Sequence, residues 1–450
     1  MRRLDVEPTE EVLLESIKSD CAGRNADIVG LIKILNEAEG PYSIMVDASW
    51  GDGKTFFVKS VELVLRTLNP CIVGTDHDCP DLAGIVSELD DTEVSILPFY
   101  FNAWDNDFAD DPITALFANM AAEFDRNDLL KKAKVRDGVA SVIDAGLAIS
   151  QVPLRVSGVV SALTSESIIS AFKSKAEIRS RITELAETSL IEVANKLVIF
   201  IDELDRCRPD FAVRLLEQTK SLFTSENIIL VFAADSSQLA KAVGGMYGSG
   251  FDTARFLERF FDERMTMTPV DAYAFANDGK KRGGTNRFDK LAEEVLDGMT
   301  LTIRDAYRLK HKLNAARKYC LEGNHEELPQ MIACCTVLPL LVFIERDDID
   351  LFRAITSGAD LDAIYEYGKH YEAFNENVKD TITRLRRNMH ADDQPEFTDA
   401  DCKAYMLDLC MAIYGTPEGH PEYYEARDRL GGFYSPKFDE RVYKQLRFEV

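Results

Sequence analysis

Gly51, Gly53, Lys54 and Thr55 fall in one run, Ala48-Ser-Trp-Gly-Asp-Gly-Lys-Thr55, whose residue types suit the holding of a triphosphate. The two glycines permit a tight, partly left-handed backbone that turns several N–H groups toward phosphate oxygens. A helix starting at Lys54 would add the positive end of its dipole. Lys54 would neutralise the β- and γ-phosphates, and Thr55 would place its hydroxyl on Mg²⁺. Ser49, Trp50, Asp52 and Phe56 complete the candidate nucleotide-binding set. Ala48 stands where the general pattern has glycine, a difference of one methyl group that a negative φ accommodates.

A second chemical group follows later in the chain. The apolar run Leu197-Val-Ile-Phe-Ile201 ends in Asp202-Glu203-Leu204-Asp205-Arg206. Asp202 is placed to hold Mg²⁺ through water. Glu203, one residue on and so on the other side of the strand end, is the candidate general base that polarises a water toward the γ-phosphate. An acidic pair favours hydrolysis over binding alone. A third run, Ile228 to Ala234, leads to Asp235, which either orients the attacking water or caps a helix beginning near Ser237.

These groups need a scaffold. Unbroken apolar runs bounded by polar residues fit strands buried on both faces of a parallel sheet. Strands are expected at 43–47, 94–101, 197–202 and 228–234, with a short last one at Met265 to Met267. Residues 10–38 read as helical, with Ile28, Leu31, Ile32 and Leu35 at spacings of three and four. From Asp271 onward the pattern is helical, over Ala272 to Ala276, Phe288 to Met299 and Ile303 to Tyr319. The fold class is therefore α/β, a P-loop NTPase parallel sheet flanked by helices, with a helical insertion and an α-helical C-terminal region. The expected boundaries are 1–270 for the core, with the insertion at about 125–190, then 271–390 for a lid-like helical region and 391–450 for a C-terminal helical segment.

With these residues in place, the chain resembles the KAP family of P-loop NTPases. The resemblance is carried by Trp50-Gly51 within the loop, Phe101-Asn102-Ala103-Trp104, Ile201-Asp202-Glu203-Leu204-Asp205-Arg206-Cys207 and Ala233-Ala234-Asp235. Arg255 to Asp262 and Ile303-Arg304-Asp305 extend it, so that it spans roughly residues 20–320. The family usually has a second Asp where this chain has Glu203, which keeps the carboxylate. The resemblance implies ATP with Mg²⁺, hydrolysis, and a role in signalling or in bacterial or plasmid defence against phage. It also implies that Asn102 lies near the nucleotide, positioning γ-phosphate or water, while Trp104 is expected to fill the core.

Arginines bear on control. Arg255, Arg259 and Arg264 precede the last core strand, where related ATPases present an arginine to a neighbouring subunit. Arg304 would reach the γ-phosphate within the same chain; ion pairing with neighbours such as Glu258 or Asp305 is the structural alternative for all four. Arg259 and Arg304 join Lys54, Glu203 and Asp235 as the candidate catalytic residues.

Composition narrows the partners. Fifty-two basic against seventy-seven acidic residues give a net charge of −25, which disfavours direct nucleic-acid binding. A protein partner or self-association is expected instead. The basic stretch Lys280 to Asn286 reads as a solvated loop, or as a contact for an anionic partner. Val139 to Leu163 is apolar but broken by Asp144, Gln151, Pro153 and Arg155, and Met331 to Ile344 is short and contains Pro339. No transmembrane segment is expected from either. Met1-Arg2-Arg3 precedes acidic residues rather than an apolar core, so no secretory signal is read and the expected location is cytoplasmic.

Nine cysteines without a Cys-x-x-Cys pair read as buried reduced thiols, and Cys71, His77 and Cys79 lack a fourth ligand for zinc. Ala391 to Glu396 marks a hinge, beyond which Tyr405, Tyr414, Tyr423, Tyr424, Tyr434 and Tyr443 are read as half-buried core packing. Two uses of hydrolysis compete. One is a turnover ATPase whose helical region remodels a partner; the other is a slow, ATP-assembled oligomeric switch. A small-molecule phosphotransferase ranks last, since no lid-like arginine cluster is visible.

Overall fold

The expected strands pair into a single sheet: β1 (Tyr42–Asp47), β2 (Ile96–Asn102), β3 (Lys196–Asp202), β4 (Ile228–Ala234) and β5 (Glu263–Thr266), all parallel, in the order β2-β3-β4-β1-β5. They belong to a computed structural model that describes residues 7–72, 79–89, 94–150, 165–248, 250–270, 275, 286–297, 299, 301–322, 332–388, 398–415 and 421–430. The chain divides into two compact units, Val6–Pro269 and a second built from Val270 onward.

In the first unit, β3 and β4 are buried along nearly their whole length, as a doubly covered parallel strand requires. Alternation sorts their side chains to two cores. Ile44, Val46, Val198, Phe200 and Val231 face the layer made by α1 (Glu10–Ser19), α2 (Asn25–Glu37), α3 (Lys54–Leu68) and α4 (Ala83–Glu88). Met45, Phe99, Phe101, Ile199, Ile201 and Phe232 face the opposite layer, which contains α5 (Pro112–Arg126), α6 (Ala133–Ser150), α7 (Ser165–Glu184), α8 (Pro209–Leu222), α9 (Ser236–Tyr247) and α10 (Thr253–Glu258). Asp111 starts α5 by accepting the Thr114 N–H at 2.8 Å, ahead of Pro112 at the first helical position.

Three local readings change. The single helix expected over 10–38 is two, because Asp20 (φ 42°) and Gly23 (φ 64°) turn the chain and Asp20 caps the Arg24 and Asn25 N–H groups at 2.8 and 3.1 Å. The last strand is Glu263–Thr266 rather than Met265 to Met267; it is an edge strand with only one neighbour, so its apolar signal is weak. Cysteine burial is mixed: Cys207, Cys334, Cys402 and Cys410 are buried, whereas Cys21, Cys71, Cys79 and Cys335 are partly exposed, all as free thiols.

Within the insertion, α6 and α7 pack through Val135, Val139, Val142, Ile178 and Ile182 onto the same core as α5. Residues 151–163 of the Val139 to Leu163 stretch, and His77, lie outside the described residues. Among the described residues no helix is long and apolar enough to cross a membrane, and no cluster of three metal-ligating side chains occurs.

The second unit is helical: α11 (Arg287–Asp297), α12 (Ile303–Glu322), α13 (Leu338–Asp347), α14 (Ile349–Thr356), α15 (Ala363–Gly368), α16 (Glu372–Asn388), α17 (Asp399–Tyr414) and α18 (Pro421–Arg429). At its centre Leu340, Leu341, Val342, Phe343 and Ile344 are all wholly buried, which explains the apolar run around Pro339. Pro339 is the second residue of α13, which runs on without a break from a π-helical turn at Ala333–Val337, a widening that suits a residue with no N–H to give. Tyr405, Tyr414 and Tyr423 are buried, while Tyr424 is exposed. Tyr434, Tyr443, Met331, residues 280–285, the hinge at 391–396 and most of 272–276 lie outside the described residues.

Behind the sheet edge, α3 and α5 share a partly desolvated charge cluster. Burial pushes the Glu123 carboxyl up to about 7, with Glu62 adding to the rise and Arg66, Arg126 and Lys59 opposing it. Glu62 is raised as well, again chiefly by burial. A carboxyl raised in the folded state holds its proton after the unfolded chain has lost it, so its contribution to stability falls as pH rises from about 4.5 to about 7. Glu123→Gln is therefore expected to be more stable than the parent at pH 8, by on the order of 1–2 kcal/mol, and equal to it near pH 4. Chemical denaturation at the two pH values measures this.

Candidate active site

Parallel strands end together, so the loops after β1, β2, β3 and β4 gather at one edge of the sheet, where Asn102 pairs in register with Asp202, Asp202 with Ala233, and Asp47 with Ala234. The loop after β1 has Gly51 at φ 95° and Gly53 at φ 81°, the left-handed backbone that glycine alone adopts at little cost. Gly53 is the N-cap of α3 and supplies no side-chain cap, and no acid occupies the first turn. The leading N–H groups of α3, from Lys54, Thr55 and Phe56, are thus left for an anion. Inside the loop, Asp52 accepts the Ser49 N–H at 3.0 Å and gives its own N–H to the Ser49 carbonyl at 3.2 Å. Lys54 is buried, and its Nζ donates to the Ala48 and Ser49 carbonyls at 2.7 and 3.2 Å, which holds the ammonium over the loop.

Asp202 is wholly buried at the end of β3. Burial pushes its carboxyl above the ordinary range, while hydrogen bonds from Thr55, Tyr100 and the Glu203 N–H, together with the Lys54 charge, pull the other way. The Tyr100 hydroxyl donates at 2.9 Å and the Glu203 N–H at 2.8 Å. Thr55 and Asp202 come together although β4 separates β1 from β3. A hydroxyl and a carboxylate are ligand types that Mg²⁺ accepts, so Thr55 and Asp202 are the residues that could hold one.

Glu203 turns the chain at φ 60°, an uncommon conformation for a residue with a side chain. Its carboxylate meets Arg206 at 2.9 Å, and burial raises its proton affinity against that pairing, helped by Asp202, Asp205 and Asp105. Arg206 in turn lies 5.6 Å from the Trp104 ring centre. Trp104 is 49% exposed, so it does not fill the core; it lies past the end of β2, at the start of a 3₁₀ turn. The Asn102 amide is committed to its own turn, donating to Asp105 at 2.8 Å and accepting the Trp104 and Asp105 N–H groups.

Asp235 is the N-cap of α9, accepting from Ser237 N, Ser237 Oγ and Gln238 N at 3.0, 2.6 and 3.2 Å. Arg264 pairs with Asp47 and Ser236, the ion-paired alternative expected for these arginines, with its side chain still 58% exposed. Arg255 and Arg259 are exposed at α10 and its C-terminal end. Arg304 belongs to the second unit, at the start of α12.

A model of the KAP family P-loop domain matches residues 24–271. The chain belongs to the KAP family. Its KAP domain is a nucleotide-binding P-loop NTPase domain, and the match, to residue 271, ends close to Pro269, the last residue of the first compact unit. No curated protein matches the chain.

Two residues of this KAP site escape a reading of sequence spacing. Asp205 returns to the site because Leu204–Arg206 form one turn of 3₁₀ helix, and its carboxylate accepts the Trp50 indole N–H at 2.5 Å. Tyr100 reaches Asp202 from β2 because the two strands are neighbours, with the Lys59 ammonium 4.5 Å from the centre of its ring. Neither carried a signal in its spacing along the chain.

Proposed function

We propose that this chain hydrolyses a nucleoside triphosphate, ATP by preference, and couples the cycle to a protein partner or to self-association. The observation that carries the reading is the meeting of the Thr55 hydroxyl with the buried Asp202 carboxylate at the mouth of the phosphate loop. In this reading the N–H groups of the loop and of α3 bind the phosphates, and Lys54 swings its ammonium from the loop carbonyls to the β- and γ-oxygens. Thr55 and Asp202 would hold Mg²⁺, which would supply positive charge against the phosphates when bound. Glu203 takes the proton of the attacking water, and Asp235 fixes the β4–α9 corner beside it.

The exposed guanidiniums of Arg255 and Arg259, one helical turn apart, favour a second feature: control of hydrolysis by assembly, with Arg259 offered to a neighbouring copy. Phosphate release from ATP and from GTP tests the core of the proposal. Release is expected to require Mg²⁺, to stop with a chelator, and to return when Mg²⁺ is restored; release indifferent to the chelator would overturn it.

A further inference from the structure

Asp205 joins three segments of the site: the phosphate loop, the turn after β3 and the β4–α9 corner. It is 8% exposed, and one of its oxygens, Oδ2, accepts both the Trp50 indole N–H at 2.5 Å and the Asp235 backbone N–H at 3.0 Å. Trp50 belongs to the phosphate loop and is 48% exposed, so packing alone does not fix its ring. Its anchor is a charge-assisted hydrogen bond to a buried carboxylate, among the stronger contacts an indole makes. The other end of the same oxygen holds the first residue after β4, whose own side chain starts α9.

The loop that cradles an anion works only if its N–H groups already point inward, because each that must be turned on binding subtracts from affinity. Within the loop, short-range bonds from Asp52 and Lys54 close the backbone on itself. The Trp50 contact is the side-chain bond that ties this loop to the turn after β3 and, through the shared oxygen, to the β4–α9 corner.

We propose that Asp205 is a positioning residue: its carboxylate clamps the phosphate loop through the Trp50 indole N–H and locks it to the β4–α9 corner through the Asp235 N–H, so that triphosphate affinity depends on this three-way junction. The inference rests on the nucleotide-binding reading above. A double-mutant cycle tests it with the full chain, using calorimetric titration with ATP and Mg²⁺. Trp50→Phe, which keeps the ring and removes the donor, and Asp205→Asn, which keeps the shape and removes the charge, are each expected to weaken binding at least threefold or so. The double variant is expected to match the weaker single rather than multiply the two.

A second readout needs no nucleotide. The chain has two tryptophans, so Trp104→Phe leaves Trp50 as the sole indole. In that background, Asp205→Asn is expected to shift the Trp50 emission maximum, which a fold defect elsewhere would not do while the far-ultraviolet dichroism stays unchanged. Multiplying effects in the cycle, or unshifted emission, would overturn the clamp. If the parent chain binds no ATP while the emission shift is present, the contact stands and the nucleotide reading fails, taking the affinity claim with it.

Discussion

Lys54→Ala is expected to lower affinity for a magnesium-bound triphosphate by about 100-fold or more, and to bring phosphate release to background. The ammonium is buried at the mouth of the loop and held by two carbonyls, Ala48 and Ser49. Both are weak competitors for it, being neutral, whereas a triphosphate offers charged oxygens and hydrogen bonds worth about 1.5–3 kcal/mol each. Loss of two such bonds accounts for the expected factor. The fold should tolerate the change, since the removed bonds are local to six residues of loop. Calorimetric titration beside a thermal melt separates the two effects: a normal melt with unchanged affinity would remove the phosphate loop from the function.

Glu203→Gln is expected to leave triphosphate binding within a fewfold of the parent and to slow hydrolysis by 10² to 10⁴, roughly the range of a lost general base. The amide keeps the length of the side chain and can still accept from Arg206, so the turn at φ 60° should persist. What it loses is the capacity to take a proton, which burial and three neighbouring acids favour in the parent residue. Single-turnover phosphate release on preformed complex reads the chemical step directly. Chromatography of the same variant with ATP tests assembly, since a trapped triphosphate state should accumulate any ATP-dependent oligomer. Hydrolysis at the parent rate would assign the base elsewhere.

Much of this architecture was legible because it is written in continuous apolar runs. Leu197 to Ile201 and Ile228 to Ala234 are buried on both faces, so no amphipathic ambiguity arises and their ends could be placed within a residue or so. The phosphate loop was equally plain, since Gly51 and Gly53 occupy the two positions where φ is positive. Edge strand β5 was harder, because a strand with one neighbour and half-exposed residues carries little pattern. Trp104 misled for a physical reason: large aromatic residues are buried on average, but a residue just past a strand end has no layer to enter. Asp205 and Tyr100 depend on a 3₁₀ turn and on which strands are neighbours, and neither is visible in spacing along the chain. Asp235 could be read two ways from sequence, and its side chain is engaged as a helix cap.

The left-handed backbone at Glu203 sets backbone strain against the role proposed for its carboxylate. A non-glycine residue in that region costs about 1 kcal/mol or more relative to glycine. Glycine at 203 would relieve that conformational penalty while removing the carboxylate, so the position sets durability and catalysis in opposition.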